Sequence, residues 1–333
     1  MEASLLRLLC VVVPCFDEEQ AIGHTYEELK RVLGGLSDYR HLIYFVDDGS
    51  RDGTLARLEA LAQRDRCVRV LALSRNFGHQ VAITAGLDHV PARTDAVVVM
   101  DADLENPPAL IPQLLAELER GHDVVLGVRG AERSVGLSKR LASRAFYWLF
   151  NQLSDVPIEP GAPEFFLLSR RAREALARMP EQRRFLRGMV AWLGFSRSLV
   201  LYDPPARVRG HSKYTVPRMV RFAADAIFSF SFAPVRLMVA LGLALACIGL
   251  GVLLAALCCL PWSDSLGAFA ALGGLITAIG GVQLSALGVL GGYVARSFEA
   301  SRGRPLYFVK QAPEDGDARV LEVHPRSARS ARY

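Results

Sequence analysis

The feature that most constrains the fold is a repeated alternation of strand patterns and helix patterns over residues 8–129. Four short apolar runs are each followed by a segment with helical spacing, and a fifth run closes the series. The runs are LLCVVVP, HLIYFVDD, VRVLALS, DAVVVM and HDVVLGVR. Nearly continuous apolar strands belong in a sheet that helices cover on both faces. We therefore predict an α/β domain with a mostly parallel sheet.

Polar side chains gather where four of these strands end. The carboxyl ends of parallel strands meet at one edge of a sheet, where the ligands of such proteins bind. We therefore expect one cleft lined by these residues. They are Asp17, Glu18 and Glu19 after the first strand, Asp47 and Asp48 after the second, Ser74, Arg75 and Asn76 after the third, and Asp101, Asp103 and Glu105 after the fourth.

The crowding of Asp101, Asp103 and Glu105 requires a compensating cation, because neighbouring carboxylates repel one another and are costly to desolvate. The chain has neither a G-x-G-x-x-G pattern nor a Walker-type G-x-x-x-x-G-K-[ST] loop to cradle phosphates. Asp-x-Asp alone is as typical of helix caps as of metal sites. At the end of a strand, beside further acidic strand ends, it indicates Mg²⁺ or Mn²⁺ bridging carboxylates and a diphosphate.

Two long runs with almost no charge lie in the C-terminal part of the chain. The run Val235–Leu260 carries only Arg236, and the run Leu266–Val294 carries no charge. Each exceeds the ~20 residues that cross a bilayer, so we predict two transmembrane helices over 234–295. Basic residues flank the hairpin and are absent from its PWSDS link. The chain is thus predicted to be a multi-pass protein of the cell (inner) membrane with both termini cytoplasmic.

The segments before and after the predicted hairpin also have predicted roles. We predict a cytoplasmic domain over 1–213, juxtamembrane amphipathic helices over 214–233 and a cytoplasmic tail over 296–333. A basic, aromatic helix over 136–153 is a candidate interfacial helix, with an ordinary surface helix as the alternative. The net charge of +5 favours an anionic membrane surface over nucleic acid as a partner. Hairpin glycines favour close helix packing and leave a homo-oligomer open.

Several ordered motifs carry a resemblance to a known family. They are VVVPCFDEE, FVDDGSRDGT, LSRNFGHQVAITAGLDH, MDADLENPP, RFLRGMVAWLGF and RVRGHSKY. Over about residues 8–310 the chain resembles the family 2 glycosyltransferases that load a sugar onto a polyprenyl phosphate, such as bactoprenol glucosyltransferases and dolichyl-phosphate mannose synthases. The resemblance implies a GT-A-type fold, a UDP-glucose-like or GDP-mannose-like donor, an undecaprenyl or dolichyl phosphate acceptor, and metal-dependent transfer with inversion.

The resemblance also implies roles for individual residues. Asp101 and Asp103 match the metal and sugar-diphosphate motif, and Glu105, where glutamine is usual, adds either a third metal ligand or an extra repulsive charge. The catalytic group comprises Glu164, Asp103 and Arg129. The donor nucleotide is expected to contact Pro14, Asp17, Glu19, Asp47, Asp48, Arg75, Asn76 and Asp101, and the acceptor phosphate Lys139, Arg140, Arg207 and Lys213.

Two further departures from the family pattern concern the chemistry. His79 stands where lysine is frequent, and PEFF replaces G-D-F-R, so that Glu164 takes the place of an aspartate regarded as the catalytic base. A phosphomonoester is largely ionised at neutral pH, with a second pKa of ~6, and needs little help from a base. We therefore expect Glu164 to orient the sugar or the acceptor.

Three alternative functions stay open from the residues alone. The PEFF change motivates a non-catalytic scaffold or binding subunit. A processive polysaccharide synthase shares Asp-x-Asp, but the chain lacks that class's Q-x-x-R-W motif. A nucleotidyltransferase with a membrane anchor is the third.

Overall fold

The computed structural model describes residues 6–130, 164–182, 184–202, 238, 240, 244–245 and 265–313. The described residues up to 202 and those of 304–313 belong to one compact unit. Residues 265–303 belong to a second.

The N-terminal part of the first unit alternates strands and helices as the sequence pattern predicts. Its elements are β1 (Arg7–Cys15), α1 (Ile22–Leu33), β2 (Tyr39–Asp47), α2 (Thr54–Arg64), β3 (Val68–Leu73), α3 (His79–His89), β4 (Ala96–Val99), α4 (Ile111–Glu119) and β5 (Val124–Arg129). A single 3-10 turn, Pro108–Leu110, leads into α4. Later in the chain follow β6 (Phe166–Ser169), α5 (Arg170–Ala177), α6 (Leu186–Trp192), β7 (Arg197–Tyr202) and β8 (Val309–Gln311).

The described strands form one sheet in the order β7-β5-β6-β4-β1-β2-β3-β8. Strands β3, β2, β1 and β4 are neighbours and run parallel, so their carboxyl ends lie at one edge. The sheet is mixed: six of its eight strands run in one direction, as predicted for most of the sheet, whereas β6 pairs antiparallel with both β4 and β5, and β8 pairs antiparallel with β3. The antiparallel β6 has a functional consequence: its start lies beside the end of β4, since Phe166 pairs with Val99.

The core consists of apolar residues that the strands and the covering helices bury together. Val11, Val13 and Phe45 are fully buried in it. Helix α3 approaches β1 so closely that a Cβ on Gly86 would lie 2.3 Å from Cγ1 of Val12, which explains a glycine in the middle of a helix. This contact fixes the position of α3, and therefore of His79 at its start.

The second unit contains α7, a helix of 37 residues over Ser265–Ser301. In the part of the chain that the structure describes, no helix combines the length and apolar character that a membrane crossing requires. The predicted hairpin over 234–295 is therefore wrong, and so is the multi-pass inner-membrane localisation inferred from it. The prediction relied on the length and low charge of the two runs, and of the first run the structure describes only residues 238, 240, 244 and 245.

A buried carboxylate gives the fold a testable pH dependence. Asp65 forms an ion pair with Lys30 and accepts hydrogen bonds from the hydroxyl of Tyr26, at 2.9 Å, and the N–H of Cys67, at 2.8 Å. Burial alone would raise the pKa of Asp65, but these partners outweigh it and lower the pKa to about 2. A carboxyl whose pKa is lower in the folded state stabilises the fold above its unfolded pKa of ~3.9.

We expect Asp65 to contribute about 2 kcal/mol of stability at neutral pH, and this contribution to disappear as the pH falls from about 4 to about 2. Asp65→Asn should therefore flatten the free energy of unfolding over that range, as measured by urea titration at several pH values. Asp38→Asn is the control, because Asp38 is exposed and bonds only to its neighbour Ser37. Equal acid sensitivity of Asp65→Asn and the wild type would contradict the assignment.

Candidate active site

The loops that follow β1 and β2 are joined to each other by acidic side chains. Asp17 adopts a positive φ of 53° and accepts a hydrogen bond from the N–H of Arg51 at 2.8 Å. Glu19 accepts from the N–H of Gly53 at 3.1 Å and forms an ion pair with Arg57 at 3.1 Å. Both carboxylates therefore hold the start of α2 against the end of β1.

The loops that follow β2 and β3 are joined in a similar way. Asp48 is buried and accepts hydrogen bonds from the N–H groups of Phe77, at 2.8 Å, and Gly78, at 2.9 Å. Gly49 has a φ of +69°, and a Cβ there would lie 2.4 Å from the carbonyl carbon of Arg75, so only glycine fits. The guanidinium of Arg75 lies 4.0 Å above the ring of Phe77. Exposed Arg75 is thus held beside buried Asp48.

Pro14 and Asp47 lie within the strands that precede these loops, near their carboxyl ends. Pro14 lies in β1 beyond the residues that pair with β4, where a missing N–H costs no hydrogen bond on that side. Asp47 is buried at the end of β2 and accepts from the N–H of Ser50 at 3.3 Å. Burial raises the pKa values of Asp47 and Asp48, and the N–H donors oppose this effect.

The three acidic residues after β4 point to three different partners. Asp101 is 29% exposed and has His79 Nε2 3.3 Å from its Oδ1. Asp103 is exposed and accepts from the N–H of Glu105 at 3.0 Å across a turn in which Leu104 has a φ of +60°. Glu105 forms an ion pair with Arg129 at 2.7 Å. Asp101 and Asp103 therefore face the cleft edge, whereas Glu105 is already neutralised.

Glu164 lies close to this group because β6 is antiparallel to β4. Its side chain is 7% exposed, and its Oε2 lies 2.5 Å from Nε2 of His79. Its Oε1 accepts from the side-chain amide of Gln80 and lies 3.9 Å from Nε of Arg187. The amide oxygen of Gln80 accepts in turn from the N–H of Leu186 at 2.9 Å. The buried carboxylate is thus surrounded by polar and cationic side chains from the starts of α3 and α6.

His79 joins the two acidic groups. Burial by itself would lower the pKa of His79, but the hydrogen bond and charge of Glu164 and the charge of Asp101 raise it to about 9. The same imidazolium lowers the pKa of Glu164 against the effect of burial. Burial raises the pKa of Asp101 to about 6; the nearby charges of Glu164 and Asp103 add to this, and His79 opposes it. His79 is a cation at neutral pH, between two carboxylates.

A second chain of hydrogen bonds reaches the other oxygen of Asp101. The side-chain amide of buried Asn106 donates to its Oδ2 at 3.1 Å. The hydroxyl of Tyr202 donates to Asn106 Oδ1 at 2.7 Å, and Arg129 Nε donates to that hydroxyl at 3.4 Å. Three sequence-distant elements, β5, β7 and the turn after β4, therefore orient a single carboxylate.

These residues fit a divalent metal ion of a particular kind. Among the described residues, no group of three or more His, Cys, Asp or Glu side chains forms a complete metal cage. Mg²⁺, however, is typically held by one or two carboxylates together with substrate phosphates and water. Asp101 and Asp103 supply such a pair. A cation there would also oppose the burial and the neighbouring negative charges that together raise the pKa of Asp101.

The structure brings together most of the residues expected at the site. Asp17, Glu19, Asp47, Asp48, Arg75 and Asn76 follow β1, β2 and β3 at the same edge as Asp101 and Asp103, which follow β4. The predicted acceptor residues Lys139, Arg140, Arg207 and Lys213 lie outside the described residues.

The sequence analysis missed the connecting residues Gln80, Asn106, Arg187 and Tyr202. Gln80, Asn106 and Arg187 occur within motifs that carry the resemblance, which was the available signal for them. No local signal marked Tyr202, because its role depends on the pairing of β7 with β5.

Comparison with known proteins identifies the class to which this arrangement belongs. The model of Glycosyl transferase family 2 matches residues 10–176. The chain belongs to glycosyltransferase family 2, and the resemblance inferred from its motifs is confirmed.

Individual relatives are similar over nearly their whole length. The bactoprenol glucosyl transferase of Shigella phage SfV is 36% identical over 306 residues, which cover 91% of this chain and 98% of that protein. The prophage bactoprenol glucosyl transferase homolog of Escherichia coli K12 is 34% identical over 307 residues, with 91% and 98% covered. Among solved structures, glucosyl-3-phosphoglycerate synthase from Mycobacterium tuberculosis is a distant match, with 21% identity, a TM-score of 0.45, and 67% of this chain and 78% of that chain covered.

Proposed function

We propose that this glycosyltransferase moves a sugar from a nucleotide-sugar donor to a polyprenyl phosphate, with inversion at the anomeric carbon. The observation that carries the proposal is the pairing of an Asp-x-Asp at the end of β4 with a buried carboxylate–imidazolium pair beside it. Two relatives named bactoprenol glucosyl transferases, similar over 98% of their lengths, support the lipid phosphate as the acceptor.

The donor lies along the edge formed by the ends of β1 to β4. Buried Asp48 and the adjacent Arg75 hold the nucleoside, which is a UDP-glucose-like or GDP-mannose-like donor. Asp101 and Asp103 would hold a divalent ion, either Mg²⁺ or Mn²⁺, whose charge would stabilise the departing nucleoside diphosphate. His79 lies beside Asp101 and adds a second positive charge near the leaving group.

The reaction is a single in-line displacement. An oxygen of the ionised acceptor phosphate attacks the anomeric carbon from the side opposite the leaving group, forming the new C–O bond. The bond between that carbon and the diphosphate oxygen breaks, and its electron pair leaves with the nucleoside diphosphate. No proton has to be removed, since a phosphomonoester with a second pKa of ~6 is already a nucleophile. Positioning two anions against each other is the main task of the protein.

Glu164 takes part as an orienting group rather than as a base. Both of its oxygens already have partners: Oε2 forms an ion pair with His79, and Oε1 accepts a hydrogen bond from Gln80 and lies within 3.9 Å of Arg187. A carboxylate held in this way also has a lowered pKa and is a poor proton acceptor.

Glu164→Gln tests that role. We expect kcat to fall by no more than ~10²-fold, with the acid side of the pH–rate profile unchanged, since no proton transfer is lost. The measurement is the release of nucleoside diphosphate at saturating donor from pH 5 to 9. A much larger loss together with disappearance of the acid limb would show that Glu164 is the base.

The proposed activity itself is tested by transfer of labelled sugar. Radiolabelled UDP-glucose and GDP-mannose are each incubated with the full chain, Mn²⁺ and undecaprenyl phosphate, and the organic phase is counted. We expect one donor to label the lipid. Hydrolysis of a donor without lipid labelling would contradict the proposed acceptor, and no reaction with either would contradict the proposed donors.

A further inference from the structure

We infer that Tyr202 is a positioning residue for the metal-binding carboxylate Asp101, acting through Asn106. This inference rests on the proposed function, because it assigns the ligand role to Asp101. It extends the site to β7, which lies beyond the residues 10–176 that match the family model.

The donors and acceptors in the series Tyr202–Asn106–Asp101 follow from the chemistry of the three side chains. An ionised Asp101 can only accept, so the Asn106 side chain must turn its amide nitrogen toward Oδ2 of Asp101, at 3.1 Å. The amide oxygen of Asn106 is then left as an acceptor, and the hydroxyl of Tyr202 donates to it at 2.7 Å. This donor therefore favours the same orientation of Asn106 that Asp101 requires, and it pairs an amide oxygen that would otherwise be buried without a hydrogen bond.

Burial makes the arrangement rigid. Asn106 is fully buried and Tyr202 is 6% exposed, so water cannot readily replace either partner. The ring of Tyr202 packs edge-on against Phe165, with ring centroids 5.9 Å apart, and Arg129 Nε lies 3.4 Å from its hydroxyl. The hydroxyl is held from both sides and cannot rotate to another acceptor without losing these contacts.

This arrangement gives the two carboxylate oxygens of Asp101 different partners. Oδ2 is committed to Asn106, whereas Oδ1 faces His79 and the cleft. Partners behind a ligand fix its orientation and typically change metal affinity or activity 10–100-fold when they are removed. Tyr202 therefore sets which Asp101 oxygen meets the cation, although it does not touch the cation or the substrate.

Tyr202→Phe removes only the hydroxyl and keeps the ring against Phe165. We expect the dissociation constant for Mn²⁺, titrated alone into the full chain and followed by the EPR signal of the free ion, to rise about tenfold or more. In sugar transfer, the Mn²⁺ concentration for half-maximal rate should rise by a similar factor, with a smaller change in kcat at saturating Mn²⁺.

Tyr39→Phe is the matched control. Tyr39 is 7% exposed, and its hydroxyl contacts Arg7 and Glu119, both at the opposite end of the sheet. We expect its Mn²⁺ affinity to stay within about twofold of the wild type. Equal losses in Tyr39→Phe and Tyr202→Phe would attribute the effect to general loosening and overturn the inference.

The remaining outcomes separate this inference from the proposed function. Unchanged Mn²⁺ affinity in Tyr202→Phe, with binding lost in Asp101→Asn, would overturn the role of Tyr202 and leave the metal site intact. Wild-type protein that neither binds Mn²⁺ nor needs a divalent ion for sugar transfer would overturn the metal site, and the inference with it.

Discussion

Asp101→Asn and Asp103→Asn are each expected to lower kcat for sugar transfer by ~10³-fold or more, the largest effect of any single substitution in this chain. Each change keeps the size of the side chain but removes a negative charge. The site then holds a divalent ion poorly, and the diphosphate leaves without compensation for its developing charge. The measurement is nucleoside diphosphate release at saturating donor over a range of Mn²⁺ concentrations.

The structure provides a control and a distinguishing result for these substitutions. Asp38→Asn changes an exposed carboxylate in the turn before β2 and should leave the rate unchanged. Because the pKa of Asp101 is raised to about 6, mainly by burial, its neutralisation should not destabilise the fold. A wild-type rate for either variant would contradict the metal assignment, and a large fall in Tm for Asp101→Asn would attribute lost activity to unfolding.

His79→Ala is expected to have the second largest effect, lowering kcat by ~10²-fold. It removes the cation beside Asp101 and leaves Glu164, which is 6% exposed, with Gln80 and a distant Arg187 as partners. The stability cost is about 1 kcal/mol, allowing for solvent screening of an imidazole that is 44% exposed. Kinetics of transfer and urea unfolding measure the two effects.

A double substitution isolates the ion pair. His79→Ala/Glu164→Gln should be more stable than His79→Ala alone, since the buried charge is gone, and the cycle should give a coupling of about 1 kcal/mol. His79→Lys keeps a cation and should retain activity within about tenfold of the wild type. Additive stability effects, or a His79→Lys variant as poor as His79→Ala, would contradict the role of His79 as a paired cation.

The parts of the site that the sequence predicted are those determined by local pattern. Apolar runs such as DAVVVM define strands, and neighbouring parallel strands end at the same edge, so the placement of Asp48 and Asp101 at one edge followed from the sequence. The antiparallel insertion of β6 could not be predicted in this way, because its four residues carry no signal of direction. That insertion places Glu164 against His79 and makes the sheet mixed.

Side-chain contacts between residues that are distant in the sequence could not be predicted from the sequence either. The resemblance implied that Glu105 adds a metal ligand or a repulsive charge, and the structure adds an ion pair with Arg129, which depends on the position of β5. Spacing alone could not reveal that competing partner. The transmembrane prediction was inferred from the length and low charge of two runs and from their flanking basic residues, whereas no helix of the described residues is long and apolar enough to cross a membrane.

The most direct test of the account compares acceptors that differ only in the phosphate. Undecaprenyl phosphate and undecaprenol are offered to the wild-type chain with the labelled nucleotide sugar that it turns over, and the lipid products are separated and examined by NMR. The account predicts a sugar phosphodiester of inverted anomeric configuration from the phosphate and no product from the alcohol. Transfer to undecaprenol at a comparable rate, or retention of the donor configuration, would contradict it.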